Sequence, residues 1–249
     1  MLIISGLLSH HKPDEFGIES LPAQTMIPLN DSFDETISSA EIELPMKRWY
    51  ALQTGAFEKN ESAAEAAKVF EKRGAAGYIW NEGRYRVLAS VYPSIEEAQR
   101  VRDQLKTQHS IDTYVYIIEL PALKLRLNGM QGQIDIVQAA FEHADDLAVQ
   151  LQKLSIAMDR REKSIAEVQS ETEALDDKLR IVSLRMKQRF TQPFPRPVEG
   201  LMKCFESFSE YVSSIDNSQS LFEAGIELKK QIFQVLWNTR QIYQLLNVT

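Results

Sequence analysis

Residues 47–120 alternate between two kinds of hydrophobic pattern, and this alternation constrains the fold more than any other feature of the chain. Strand-like segments rich in aromatic residues are interrupted twice by segments with helical spacing, in the order strand, helix, strand, strand, helix, strand. Gly74 falls where the first helix should end, and Gly83 falls in a turn between two strands. The order predicts a small βαββαβ, ferredoxin- or RNP-like unit whose sheet packs one face against two helices.

Residues 121–249 follow a different rule and predict an all-α region. Apolar residues recur every three or four positions, and three prolines (Pro193, Pro195, Pro197) interrupt the pattern near its middle. The first two runs have the spacing of a coiled-coil seam. The expected helices span about 131–159, 163–189, 197–213 and 218–246. The chain is therefore predicted to be α+β, with a small βαββαβ domain followed by an antiparallel helical bundle or hairpin region.

The net negative charge of the chain is concentrated in residues 1–46. Residues 1–46 contain eight acidic residues and one basic residue, which equals the net charge of −7 of the whole chain. Four prolines and the lack of a sustained period predict a flexible, acidic tether. Residues 1–8 are apolar and uncharged but too short to span a bilayer. They fit either a terminal strand or the remnant of a membrane anchor, in which case Met1 would not be the true start.

The remaining sequence excludes several classes of protein. Residues 47–249 are nearly neutral, which argues against the basic surface of a nucleic-acid binder. One cysteine (Cys204) and four histidines leave little material for a disulfide framework or a metal site. We find no phosphate-binding loop, nucleophile elbow or paired metal ligands. The prediction is a noncatalytic protein without catalytic residues, metal or cofactor.

Three segments of the first region resemble the SPOR domain family. Tyr50–Phe57 (YALQTGAF) is similar to the family's aromatic-Val-Gln-Val-Gly-x-Phe strand. Tyr85–Ala89 (YRVLA) is similar to its Tyr-Arg-Val-x-Val strand, and Ser94–Ala98 (SIEEA) to its Ser-x-x-x-Ala helix start. Ser90 stands where the family commonly has glycine, and Leu88 where a polar residue is frequent.

The resemblance implies a function in the bacterial cell envelope. SPOR proteins bind peptidoglycan, particularly glycan strands stripped of their stem peptides, and act in division, sporulation or wall remodelling. They are usually bitopic membrane proteins or secreted proteins, which implies a location on the extracytoplasmic face of the plasma membrane. In that family the ligand lies across the sheet face that no helix covers.

Alternation along the strands indicates which side chains share that open face. Aromatic rings suit the CH-rich planes of sugars, and amide or guanidinium groups can donate to sugar oxygens. The predicted glycan-binding residues are Gln53, Arg84, Arg86, Ser90, Trp80 and Tyr116. Tyr78 and Tyr114 have the same parity and could join this face.

Two other functions remain open at this stage. The helical region could carry the function as a scaffold that binds an envelope partner or itself, while the SPOR-like unit has lost its ligand. A βαββαβ sheet with exposed aromatic residues can also bind RNA, although the charge and the lack of an RNP1 pattern argue against it.

Overall fold

The computed structural model describes residues 36–216 and 219–247. The predicted anchor remnant at 1–8 and most of the predicted tether lie outside the described residues. The elements run in the order β1 (Ile37–Leu44), β2 (Lys47–Phe57), α1 (Asn60–Glu71), β3 (Tyr78–Asn81), β4 (Tyr85–Tyr92), α2 (Ile95–His109), β5 (Tyr114–Leu120), β6 (Leu123–Met130), α3 (Gln131–Asp159), α4 (Ile165–Arg189), α5 (Arg196–Ser214) and α6 (Leu221–Asn247). The predicted α+β class is confirmed.

Strands β2 to β5 form one antiparallel sheet in the order β3-β4-β2-β5. Helices α1 and α2 cover one face of this sheet. Leu52 and Ala89 of the sheet pack there with Ala98 and Leu105 of α2. The local sequence fixes the start of α2, because the Ser94 hydroxyl accepts a hydrogen bond from the Glu97 backbone N–H.

Strand β1 pairs antiparallel with β6 in a separate two-stranded ribbon. The acidic composition predicts a flexible tether that includes residues 37–44, but the structure shows a strand there instead. One side of β1 buries Ile42 and Leu44 in the core, while its acidic residues point the other way. Lys124 of β6 neutralises them, with its Nζ 3.0 Å from Glu41 Oε2 and 3.3 Å from Glu43 Oε1.

The C-terminal helices form an antiparallel assembly in which α6 packs against α3 and α5. A capping box starts α4, where Ser164 accepts from the Glu167 N–H and the Glu167 carboxylate accepts from the Ser164 N–H. Among the residues the structure describes, no helix is sufficiently long and apolar to cross a membrane.

The sheet and the helices share one hydrophobic core. Trp49, Leu88 and Ile118 of the sheet belong to the same cluster of buried residues as Phe141 of α3 and Phe233 of α6. This cluster forms on the sheet face opposite α1 and α2, so the sheet is packed on both faces over much of its area. The helical region is consequently a structural part of the same body as the sheet.

Candidate functional site

Helix α6 covers the part of the predicted open face that β3 contributes. Phe233 stacks on Tyr78 with ring centroids 5.3 Å apart, and Trp237 meets Trp80 edge to face at 4.9 Å. The Tyr78 hydroxyl donates to Gln234 Oε1 at 3.1 Å. Trp80 has no exposed surface. The structure therefore places Trp80 in the interior, whereas alternation along the strand had placed it on an exposed face.

Ser90 lies on a different face from the one predicted. The register of β2 with β4 shifts between Leu52, opposite Ser90, and Gln53, opposite Leu88. This bulge adds one residue to β4 and reverses the alternation beyond it. Ser90 therefore shares the side of Leu52, where its hydroxyl donates to the Tyr92 hydroxyl at 3.1 Å, and it is 7% exposed.

Gln53, Arg86 and Tyr116 come together, although they lie on three different strands. Arg86 Nη1 donates to Gln53 Oε1 at 3.1 Å, and the Arg86 guanidinium lies 4.7 Å from the centre of the Tyr116 ring. All three side chains are half-buried. The structure thus brings together three of the six predicted residues as one contacting group.

Glu82 links this group to α6. Its carboxylate accepts from the Tyr116 hydroxyl at 2.6 Å and forms an ion pair with Arg240 of α6, which also donates to the Glu119 carbonyl. Burial raises the pKa of Glu82, but Tyr116, Trp80 and Arg240 stabilise its charged form, so the pKa lies below its ordinary value. From the sequence alone, Glu82 is predicted only as a turn residue.

Two further residues that alternation assigns to this face are exposed to solvent. Tyr114 lies opposite Gln53 in the register of β2 with β5 and is 68% exposed. Arg84, a predicted site residue, is exposed in the turn that precedes β4. Alternation had marked Tyr114 as a member of this face, and only the structure shows that its ring is free of helix packing. We call the surface formed by Gln53, Arg86, Tyr114 and Tyr116 the open patch.

The open patch offers hydrogen-bond donors beside aromatic rings. Because a guanidinium can only donate, the Gln53 oxygen must face Arg86, and the Gln53 amide N–H groups are left to donate elsewhere. The Tyr116 hydroxyl is already engaged with Glu82. These side chains can bind ligand oxygens and pack against an apolar plane.

The residues of the open patch lie in a segment that matches a known protein family. Residues 47–116 match the SPOR domain family. No curated protein and no solved structure matches the chain. SPOR domains are noncatalytic binding domains that bind peptidoglycan in division proteins, and they occur in periplasmic and cell-envelope proteins. The chain therefore contains a SPOR domain at residues 47–116.

Proposed function

We propose that this protein is a noncatalytic component of the bacterial cell envelope that binds peptidoglycan glycan strands through the open patch. The match of residues 47–116 to the SPOR domain family carries the proposal. The chemistry of the patch supports it, since amide and guanidinium donors lie beside the exposed ring of Tyr114. We include Arg84, an exposed arginine two residues before Arg86, as a second positive charge for the ligand.

The buried part of the sheet is excluded from this proposal on energetic grounds. Trp80, Leu88, Ile118 and Phe233 are each at most 1% exposed in the shared core. Burying a large apolar side chain contributes roughly 1.5–3 kcal/mol, so exposing these four alone would cost on the order of 6–12 kcal/mol. A glycan would have to repay this cost before gaining any affinity. We therefore assign the ligand to the end of the sheet that α6 leaves uncovered.

The helical region is proposed to act as a spacer or as a binding surface for an envelope partner or a second copy. Two large apolar residues on α4 support this role, because Ile181 and Leu184 are 54% and 58% exposed one helical turn apart. The process served would be cell division or sporulation, on the extracytoplasmic face of the plasma membrane. An N-terminal membrane anchor is part of the same proposal.

The test is a pull-down of the full-length protein on purified sacculi, before and after amidase removes the stem peptides. We expect binding that increases after amidase treatment. The double variant Gln53→Ala with Arg86→Ala should bind about tenfold more weakly or worse, because a hydrogen bond to a charged group is worth ~1.5–3 kcal/mol.

A matched control comes from the other face of β2. Arg48 is also a strand arginine, but it is exposed and paired with Glu119, with Nε 2.8 Å from Oε2. Its replacement by alanine should leave binding unchanged. Loss of binding in the Arg48 variant, or full binding in the double variant, would contradict the assignment of the open patch.

The second candidate is a scaffold whose SPOR domain no longer binds glycan. The burial of Trp80 under Trp237 favours it, since part of the ligand face now serves as an internal contact. Under this alternative the wild-type protein binds neither form of sacculi. The Gln53 and Arg86 double variant would then also keep its cellular localisation.

A further inference from the structure

Arg86 is a half-buried cation with no carboxylate partner among the described residues. Its interactions within residues 36–216 and 219–247 are the hydrogen bond to Gln53 and the contact with the Tyr116 ring, neither of which supplies a negative charge. Its Nε is buried and makes no hydrogen bond to any described residue. Buried guanidinium groups are normally paired, because an unpaired donor retains the cost of its lost hydration.

The nearest acidic residue in this network is already neutralised. Glu82 accepts from the Tyr116 hydroxyl and pairs with Arg240, which lies on α6 at the covered side of the sheet. Its charge therefore serves the contact between the sheet and α6. The network leaves one positive charge in excess, and that charge faces the open patch.

We propose that Arg86 receives a carboxylate of the ligand and thereby sets the specificity of the open patch. This inference rests on the proposed function. In a glycan strand whose stem peptides have been removed, each muramic acid carries a free lactyl carboxylate, whereas in an intact strand this group is tied up as an amide. A guanidinium binds a carboxylate through two parallel N–H···O bonds, a geometry that a neutral amide cannot reproduce.

The neighbours of Arg86 fit the rest of such a ligand. The free N–H groups of Gln53 can donate to a hydroxyl or acetyl oxygen. Tyr114, opposite Gln53 and 68% exposed, offers a ring for the apolar plane of the adjoining sugar. The preference for stripped strands would then arise from recognition of a charge and not solely from the removal of bulk.

The experiment compares two probes that differ in this charge alone. One is a preparation of amidase-stripped glycan strands, and the other is the same preparation with its carboxylates converted to primary amides, which are nearly the same size. Affinities are measured for the full-length wild type, Arg86→Gln and Arg48→Gln. Arg48 serves as the matched control, because it is an exposed strand arginine on the other face of β2, where it pairs with Glu119.

The wild type should bind the primary-amide strands about tenfold more weakly than the free-acid strands. Arg86→Gln should bind both probes equally, at the lower affinity, while Arg48→Gln should keep the full discrimination. Equal wild-type affinity for both probes, or discrimination that persists in Arg86→Gln, overturns the role of Arg86 and leaves the proposed function standing. Failure of the wild type to bind either probe overturns the proposed function itself.

Discussion

A buried ion pair holds the helical region against the SPOR domain, and its removal offers a sharp test of the shared core. Lys229 of α6 is 5% exposed, and its Nζ lies 2.6 Å from Asp159 Oδ1 at the end of α3. The same ammonium donates to the Gly74 carbonyl at 3.3 Å, in the loop after α1. The pair thus joins two helices of the bundle to the SPOR domain. We predict that Lys229→Met is strongly destabilising.

The magnitude follows from the environment of the carboxylate left behind. At an effective dielectric constant of about 20, two charges at this separation attract by roughly 6 kcal/mol, and most of this gain offsets the desolvation of both groups. Removing Lys229 deletes the attraction but leaves Asp159 largely buried, with a side chain 16% exposed. Breaking such a pair typically costs ~3–5 kcal/mol, which is the loss we expect in the free energy of unfolding.

The loss of stability in Lys229→Met should depend on pH, because it arises from the charged form of Asp159. Burial raises the pKa of Asp159 above its ordinary value of 3.8, and Lys229 only partly offsets this. Because the folded state holds this proton more tightly than the unfolded chain, ionisation of Asp159 lowers stability as pH rises from the unfolded pKa through the folded one. Without Lys229 this cost increases. The difference between variant and wild type should therefore be largest at neutral pH and shrink in mild acid.

Urea denaturation of the full-length protein at several pH values measures both effects. Lys230→Met is the control, because the neighbouring Lys230 contacts Glu71 and Glu227 with a side chain 31% exposed. Surface pairs of this kind contribute about 0–1 kcal/mol. A Lys229→Met loss no larger than the control's, or a loss that grows in acid, would refute the reasoning.

Two further predictions concern the contact between α6 and the sheet. Phe233→Ala should lower the free energy of unfolding by ~3–5 kcal/mol, because Phe233 is fully buried against Tyr78. Denaturant unfolding of the full-length variant measures this loss. The control is Ile181→Ala, which replaces an exposed residue and should change the free energy of unfolding by less than about 0.5 kcal/mol. Glu82→Gln should lower the melting temperature at neutral pH. The pKa of Glu82 in the folded state lies below its ordinary value of 4.5, so the charged carboxylate stabilises the fold at neutral pH. This stabilisation is lost as the pH falls through the folded-state pKa. A difference in melting temperature between variant and wild type that persists in strong acid would contradict the prediction.

Much of the secondary structure could be predicted from local patterns. Alternation identified β2, β4 and β5, and 3–4 spacing identified the C-terminal helices, because each pattern reports which side of an element is buried. Ser94 marked the start of α2 through its capping hydroxyl. Strand β1 was missed because its alternating glutamates read as the charge of a tether. The lysine that neutralises them, Lys124, lies about eighty residues away in the sequence.

The candidate site could be predicted only in part, for two physical reasons. A bulge between Leu52 and Gln53 reverses the alternation that had been used to place Ser90, and no sequence signal marked it. A pattern also shows that a face is apolar without showing what covers it. Phe233 and Trp237 are four residues apart on α6, yet nothing in the sequence indicates that they pack on Tyr78 and Trp80. Gln53, Arg86 and Tyr116, which alternation predicts on one face, do contact one another.

Because the sheet and the helices share one core, the SPOR domain at residues 47–116 should not be studied as an isolated fragment. Cutting at residues 47 and 116 would strip α6 from Trp80 and remove Ile118 and Leu120 from the end of β5. The resulting fragment would expose a hydrophobic aromatic surface that is buried in the intact protein. Affinity for cell-wall material measured on that fragment would report adhesion to this artificial surface as well as recognition. Point substitutions in the whole chain avoid the ambiguity.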